Sequence, residues 1–203
     1  NSIIVGLAVT IGQVLTSSLA AYAFARLTFP GRDKLFFAYL ATMMIPGSVT
    51  MIPVYVLMRV FGWVDTYKAL IVPAIFSAYG TFMLRQFFMT LPKDLEDAAK
   101  IDGCGFFRIY MTIILPLSKP ALATLTVFTF MGNWGSFMWP LLVTNTMAMR
   151  TLPIGLESFK TQYSTDWNLL MAGSIMVMLP IVVIFILTQR YFVESIKLTG
   201  VKG

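Results

Sequence analysis

Histidine is missing altogether, cysteine occurs once, at Cys104, and charged residues make up only 12% of the 203-residue chain. One cysteine and no histidine exclude an internal disulfide framework and zinc sites of the Cys/His kind, which need several ligands at fixed spacing. A haem axial histidine or a His-dependent catalytic triad is excluded from this chain for the same reason. Soluble domains carry about a quarter charged residues, so this charged share speaks against a water-soluble globule. Also missing is a GxxxxGK[ST] phosphate loop, so the chain does not bind ATP in that manner itself.

What fills the chain is apolar: 58% of residues are hydrophobic and the mean hydropathy is +0.79. A helix needs about 20 mostly apolar residues to cross roughly 30 Å of hydrocarbon. Five stretches qualify: Ile3–Ala25, Leu35–Met58, Ala69–Met89, Pro120–Val143 and Leu169–Gln189. The predicted fold class is an all-α integral membrane bundle, a single transmembrane domain over residues 1–203. Pro46, Pro53 and Pro73 lie inside predicted spans and predict kinks there. All nine acidic residues fall in loops or at span ends. Proton- and sodium-coupled transporters commonly keep ionisable groups inside the membrane, and catalysis there needs comparable groups. Uphill movement by this chain therefore requires energy delivered by another subunit.

Loop charges orient the bundle. Arg26, Arg32, Lys34, Arg85, Lys93, Lys100, Arg108, Lys119, Arg190, Lys197 and Lys202 fall in one set of wet segments. Arg59, Lys68, Arg150 and Lys160 fall in the other, so eleven of the fifteen basic residues stand against four. Basic residues collect on the cytoplasmic side, which puts residue 1 outside and the C-terminus in the cytoplasm. The net charge of +6 is read the same way, as topology beside membrane lipid rather than as a nucleic-acid surface. A first helix entering from outside, with no cleavable signal ahead of it, predicts at least one earlier span before Asn1.

One wet segment, residues 90–119 between the third and fourth spans, is dense in signals. Thr90 is a candidate cap, Pro92 suits a first helical turn, and Asp94, Glu96 and Asp97 favour the positive end of a helix dipole. Leu95, Ala98, Ala99 and Ile101 supply part of an apolar face, and Gly103 can end the helix in a left-handed conformation. A second short helix from Phe106 runs to Leu115-Pro116. Such an amphipathic helix either enters a groove on a partner or lies on the bilayer surface.

This segment resembles the signature loop of permease subunits of ATP-binding-cassette importers: Glu-Ala-Ala, three residues, Gly, nine residues, Ile, one residue, Leu-Pro. Asp97-Ala98-Ala99, Gly103, Ile113 and Leu115-Pro116 match every spacing. Aspartate stands in place of the leading glutamate and Glu96 immediately precedes it, so either carboxylate can be the contacting one. Other stretches are similar to the second permease of carbohydrate importers of the maltose-transporter type. They are Asn1-Ser-Ile-Ile4, Ala20-Ala-Tyr-Ala-Phe-Ala-Arg26-Leu27, Phe29-Pro-Gly-Arg32, Thr151-Leu-Pro-Ile-Gly-Leu156, Asp166-Trp167, Leu179-Pro180, Gln189-Arg-Tyr-Phe-Val193 and Gly200-Val-Lys-Gly203.

The resemblance implies a non-catalytic subunit of a bacterial or archaeal cell-membrane transporter, with six spans in the intact protein. It implies a second homologous permease, a cytoplasmic ATP-binding subunit dimer that holds the ATP and magnesium, and an extracytoplasmic solute-binding protein. No cofactor is expected in this chain. By the same resemblance Glu96, Asp97, Ala98, Ala99, Gly103, Ile113, Leu115 and Pro116 couple to the ATPase. Their short helix would sit in an ATPase cleft, and a loop bounded by prolines passes rigid-body motion to the bundle.

For the solute path, sugars are bound by hydrogen-bonding side chains together with aromatic faces. Asn133, Trp134 and Ser136 in the fourth span and Gln13 in the first are the candidates. Thr and Ser also act as interhelical glue, and Gly132 and Gly135 allow close helix packing. The loop Thr144–Asn168, with Arg150, Glu157, Lys160, Tyr163 and Trp167, either meets the binding protein or caps the membrane surface. The leading functional reading is a sugar-importer permease. The alternatives are a same-superfamily permease for an amino acid, peptide or oxyanion, and a membrane assembly protein.

Overall fold

The computed structural model describes residues 1–157, 159–160 and 165–199, with side chains as far as Ile186. Tyr163, Lys202 and the rest of the Gly200–Gly203 ending lie outside the described residues. Among the described residues the regular structure is helical, apart from one antiparallel bridge between Lys160 and Thr165.

Helix α1 (Ser2–Arg26) is a 25-residue apolar rod closed by Arg26 in its last turn, where a cation is favoured by the dipole. Next come α2 (Arg32–Ala41), α3 (Gly47–Val60), α4 (Tyr67–Ile71), α5 (Ala78–Thr90) and α6 (Asp94–Ile101). Then follow α7 (Phe106–Ile109), a π-turn over Tyr110–Ile114, α8 (Leu115–Leu117), α9 (Lys119–Trp134), α10 (Met138–Val143), α11 (Leu152–Glu157) and α12 (Trp167–Thr199). Among the described residues, three helical segments are long and apolar enough to cross a membrane: Ser2–Arg26, Tyr67–Thr90 and Trp167–Ile186. Two bent pairs, Arg32–Met44 with Gly47–Val60 and Phe106–Leu117 with Lys119–Trp134, bring the number to five if each pair is one span.

Proline chemistry explains where the predicted spans break. Pro46 is the extended N-cap of α3 (φ −58, ψ 134), and because a proline disfavours the helical region for the residue before it, the preceding turn stops at Met44, short of Ile45. Pro53, by contrast, stays inside α3. Pro73 falls in a 3-10 turn over Val72–Ala74, and Ser77 caps α5 by accepting from the Gly80 N–H at 3.0 Å. The predicted fourth span is not one helix. It ends at Trp134 and resumes at Met138, so that Pro140 lies in the first turn of α10, where no donor is required. Thr90 is the last residue of α5, with its hydroxyl donating to the Phe87 carbonyl, and so does not cap α6.

The chain forms two compact units. One comprises Asn1–Gly12, Ile45–Ile75 and Val127–Gln189; its core contains Val5, Val9, Met58, Ala69, Leu70 and Val143. The other comprises Gln13–Met44, Phe76–Thr126 and the end of α12 from Arg190. Its core gathers Ala21 and Tyr22 of α1, Leu84 and Phe88 of α5, Ala99 of α6, and Ile109, Tyr110, Ile114, Ala121 and Leu125 further on. Small residues permit this packing. A Cβ on Gly80 would stand 2.7 Å from Ser17 Oγ and 3.2 Å from Leu125 Cδ1, so α5 approaches closely only as glycine. The expected close-packing glycines are different ones: nothing lies near a Cβ built on Gly132, and Gly135 meets only its own helix.

Candidate coupling helix and solute cavity

Asp94, Glu96 and Asp97 occupy the first turn of α6 and Lys100 its last, so the charges complement the helix dipole at both ends. The chain leaves α6 through Gly103 at φ +78, a left-handed position that suits glycine, and the Cys104 N–H donates to the Ala99 carbonyl at 2.9 Å. The sequence-predicted stop is therefore present as drawn.

The burial of α6 is not what its apolar pattern predicts. Glu96 and Ala99 face inward and are buried. Leu95, Ala98 and Ile101 are exposed, Ile101 at 88%. These three recur every third residue, which places them on one side of a helix. Asp97 also faces out and is paired with Lys100 at 2.8 Å. The Lys100 hydrogen bond holds the Asp97 carboxyl below the usual carboxylate range. An apolar row flanked by charges and turned away from its own protein is the mark of a docking face.

Behind that face the anchoring is polar. The Arg26 guanidinium meets the Glu96 carboxylate at 2.8 Å as a close ion pair not aligned as a hydrogen bond, with side chains only 4% and 7% exposed. Arg26 Nη2 also donates to the carbonyls of Phe88 (2.6 Å) and Leu91 (2.7 Å) at the end of α5, where the Phe88 carbonyl accepts the Leu91 N–H as well. Ile113 and Leu115 pack against the core of this unit, while Pro116 is exposed at the end of the π-turn segment. Of the eight residues read as coupling residues, then, Asp97 and Ala98 lie on the outward face of the helix. Glu96, Ala99, Ile113 and Leu115 build the platform that presents it, Gly103 turns the chain, and Pro116 bounds the loop. Sequence reasoning missed Arg26 as a member of the site. Its only local signal is a cation in the last turn of an apolar helix.

In the other unit a cavity of about 370 Å3 is lined by Ser2, Thr50, Asn133, Ser136, Trp139 and Thr151 among mostly apolar neighbours, with no charged residue in its wall among the described residues. Thr151 Oγ1 is buried without a hydrogen-bond partner among the described residues. The Asn133 amide donates to the Thr129 carbonyl, leaving its oxygen free to accept, and Trp139 is oriented by its N–H on the Ala69 carbonyl at 3.0 Å. The structure thus brings together Asn133 and Ser136 of the predicted path. Trp134 is buried instead, with its indole N–H donating to the Val177 carbonyl at 2.8 Å, and Gln13 belongs to the other unit. Thr50, Trp139 and Thr151 were not singled out from sequence, since an isolated Thr or Trp in a span carries no local mark of what it lines.

The loop after α10 is tied down by backbone chemistry. Asp65 (φ +62) accepts the Asn145 and Thr146 N–H groups at 2.8 and 3.1 Å, and its own N–H donates to Val143. Asn1 donates to the Ala148 and Arg150 carbonyls. Further on, Glu157 pairs with Lys160 at 3.0 Å and Trp167 is 63% exposed.

Comparison with known proteins gives the family. The family described as "Binding-protein-dependent transport system inner membrane component" matches residues 3–198. The chain belongs to that family: it is the inner-membrane permease component of a transport system that works with a binding protein and a separate ATPase. It is similar to the arabinooligosaccharides transport system permease protein AraQ of Halalkalibacterium halodurans, 41% identical over 203 residues, covering 100% of this chain and 73% of that one. AraQ of Bacillus subtilis is 37% identical over 203 residues, with 100% and 72% covered. The sn-glycerol-3-phosphate transport system permease protein UgpE of Agrobacterium fabrum is 41% identical over 198 residues, with 97% and 70% covered. The fold matches a chain of a bacterial ABC transporter involved in the import of the acidic polysaccharide alginate. The TM-score is 0.83 at 23% identity, covering 95% of this chain and 73% of that one.

Proposed function

We propose that this chain forms half of the translocation path of an ATP-driven importer for a neutral sugar or oligosaccharide, beside a second homologous permease. In this reading residue 1 faces outward and the C-terminus the cytoplasm, supported by the eleven-to-four split of basic residues. The outward face of α6, with Leu95, Asp97, Ala98 and Ile101, docks on one subunit of a cytoplasmic ATPase dimer. That dimer holds ATP and magnesium; this chain binds neither and performs no catalysis. Supporting the docking is the inverted burial of α6, where apolar side chains are exposed and a carboxylate is buried. An exposed apolar face rimmed by charges is the kind of surface that another protein covers.

The uncharged wall of the cavity carries the solute reading. Relatives of near-equal identity are named for arabino-oligosaccharides and for sn-glycerol 3-phosphate. A phosphate dianion needs a cation or a cluster of N–H donors. Hydroxyls and one amide beside Trp139 suit a neutral polyol, with Asn133, Ser136, Thr50 and Thr151 as hydrogen-bonding groups and the indole as an apolar wall. Trp134 and Gln13 are left out of the path.

Uptake by proteoliposomes holding the chain with its partner permease, ATPase and binding protein tests both points. We expect labelled arabino-oligosaccharide to accumulate only with ATP, and sn-glycerol 3-phosphate not to accumulate. Preference for the phosphate ester would overturn the solute reading. Accumulation with the ATPase omitted would overturn the coupling reading.

A further inference from the structure

We infer that Arg26, with Glu96, is a latch that makes the coupling helix move with α1, so that Arg26 is a positioning residue for coupling although it does not lie on the docking face. The inference rests on the docking reading above.

The latch is one stripe of α1. Ser18, Tyr22 and Arg26 lie four residues apart and therefore line one side of the helix. The Ser18 hydroxyl and the Tyr110 phenol share a hydrogen bond at 2.7 Å, and the Tyr22 hydroxyl donates to the Phe106 carbonyl at 3.1 Å. Arg26 meets Glu96 and two carbonyls at the end of α5. One helix face thus holds the segment after α6 at two points and α6 itself at a third. The rings of Tyr22 and Tyr110 meet at 5.3 Å between them. A force applied to α6 has no slack to take up before it reaches α1.

The choice of a buried ion pair here is informative. A pair sealed from water costs desolvation, and apolar residues of similar volume often serve stability as well or better. What an apolar pair does not supply is a fixed place: a guanidinium held by two carbonyls at the end of α5 keeps its charge at one position, and Glu96 is drawn to that position. An apolar contact can slide.

The test uses the assembled transporter in proteoliposomes, measuring ATP hydrolysis and labelled arabino-oligosaccharide uptake together. In Glu96→Gln, and in the double variant Arg26→Met with Glu96→Met, we expect the ATPase to stay bound and basal ATP hydrolysis to stay within about twofold. Uptake per ATP hydrolysed should fall at least tenfold. In Asp97→Asn we expect weaker retention of the ATPase with uptake per ATP unchanged in the complexes that form. Should the single variant fail to accumulate, the double variant, which leaves no lone buried charge, decides. Wild-type uptake per ATP in the double variant would overturn the latch and leave Arg26 and Glu96 as packing only. If the wild-type chain retains no ATPase, the docking reading falls, and the latch with it.

Discussion

Glu96 and Asp97 are consecutive residues of one short helix, yet Glu96 is sealed against Arg26 with 7% of its side chain exposed while Asp97 is 62% exposed beside Lys100. Neighbouring positions on an α-helix point about 100° apart, so adjacent carboxylates can serve different partners. Asp97, at the place of the signature's glutamate, is the one left available to another protein. Its shorter stem is offset by the exposed row Leu95, Ala98 and Ile101 beside it. The two alanines divide likewise, with Ala98 turned outward and Ala99 packed within the core.

That division separates two substitutions a motif would treat alike. Ala98→Arg should leave the permease at its normal level in the membrane and reduce co-purified ATPase at least tenfold. Ala99→Arg should lower the amount of folded permease itself, since it drives a charge into a core otherwise built of Tyr22, Leu84 and Ile109. Immunoblots of membranes and of affinity-purified complexes read both outcomes.

Gly80 should tolerate no larger side chain. Its absent Cβ would meet Ser17 Oγ at 2.7 Å, and relieving that contact means moving α5 away from α1. Gly80→Leu is expected to cost about 1–3 kcal/mol or more as overpacking, seen as a lower melting temperature of the detergent-purified chain. Gly132→Leu, with open space around it, should cost little beyond helix propensity.

The Asp65 clamp predicts a pH dependence. The Thr146 and Asn145 N–H groups hold the carboxyl below its ordinary range. A depressed carboxylate pKa contributes stability that is present above the unfolded value, about 4, and is lost as the pH falls through the folded value. Amide exchange at Asn145 and Thr146 should therefore lose protection at the acid end, below about pH 4. Asp65→Asn should have low protection there that no longer varies with pH. Protection in Asp65→Asn equal to wild type at neutral pH would show that the carboxylate contributes nothing.

For the solute cavity, Asn133→Ala and Ser136→Ala should each lower kcat/KM for oligosaccharide uptake about tenfold, with ATPase retention unchanged. Trp134→Phe removes the bond to the Val177 carbonyl and part of a buried ring that stacks on Phe130. It should cost about 0.5–3 kcal/mol of stability without altering solute preference.

Much of this protein is legible without coordinates, for a physical reason. Five apolar stretches and the uneven spread of Lys and Arg reflect the dielectric each segment occupies, which is a local property summed over some twenty residues. The Asp97 to Pro116 spacing is likewise local, and so are the left-handed stop at Gly103 and the break that Pro46 enforces. Folding decided the rest. Arg26 and Glu96 are far apart in sequence, and nothing near either of them names the other. The outward turn of Leu95, Ala98 and Ile101, against their apolar character, and the gathering of Thr50, Asn133, Trp139 and Thr151 around one cavity depend on how distant helices pack. Periodicity tells which residues share a face of a helix; only the neighbour that covers a face settles whether it is core, lining or docking surface.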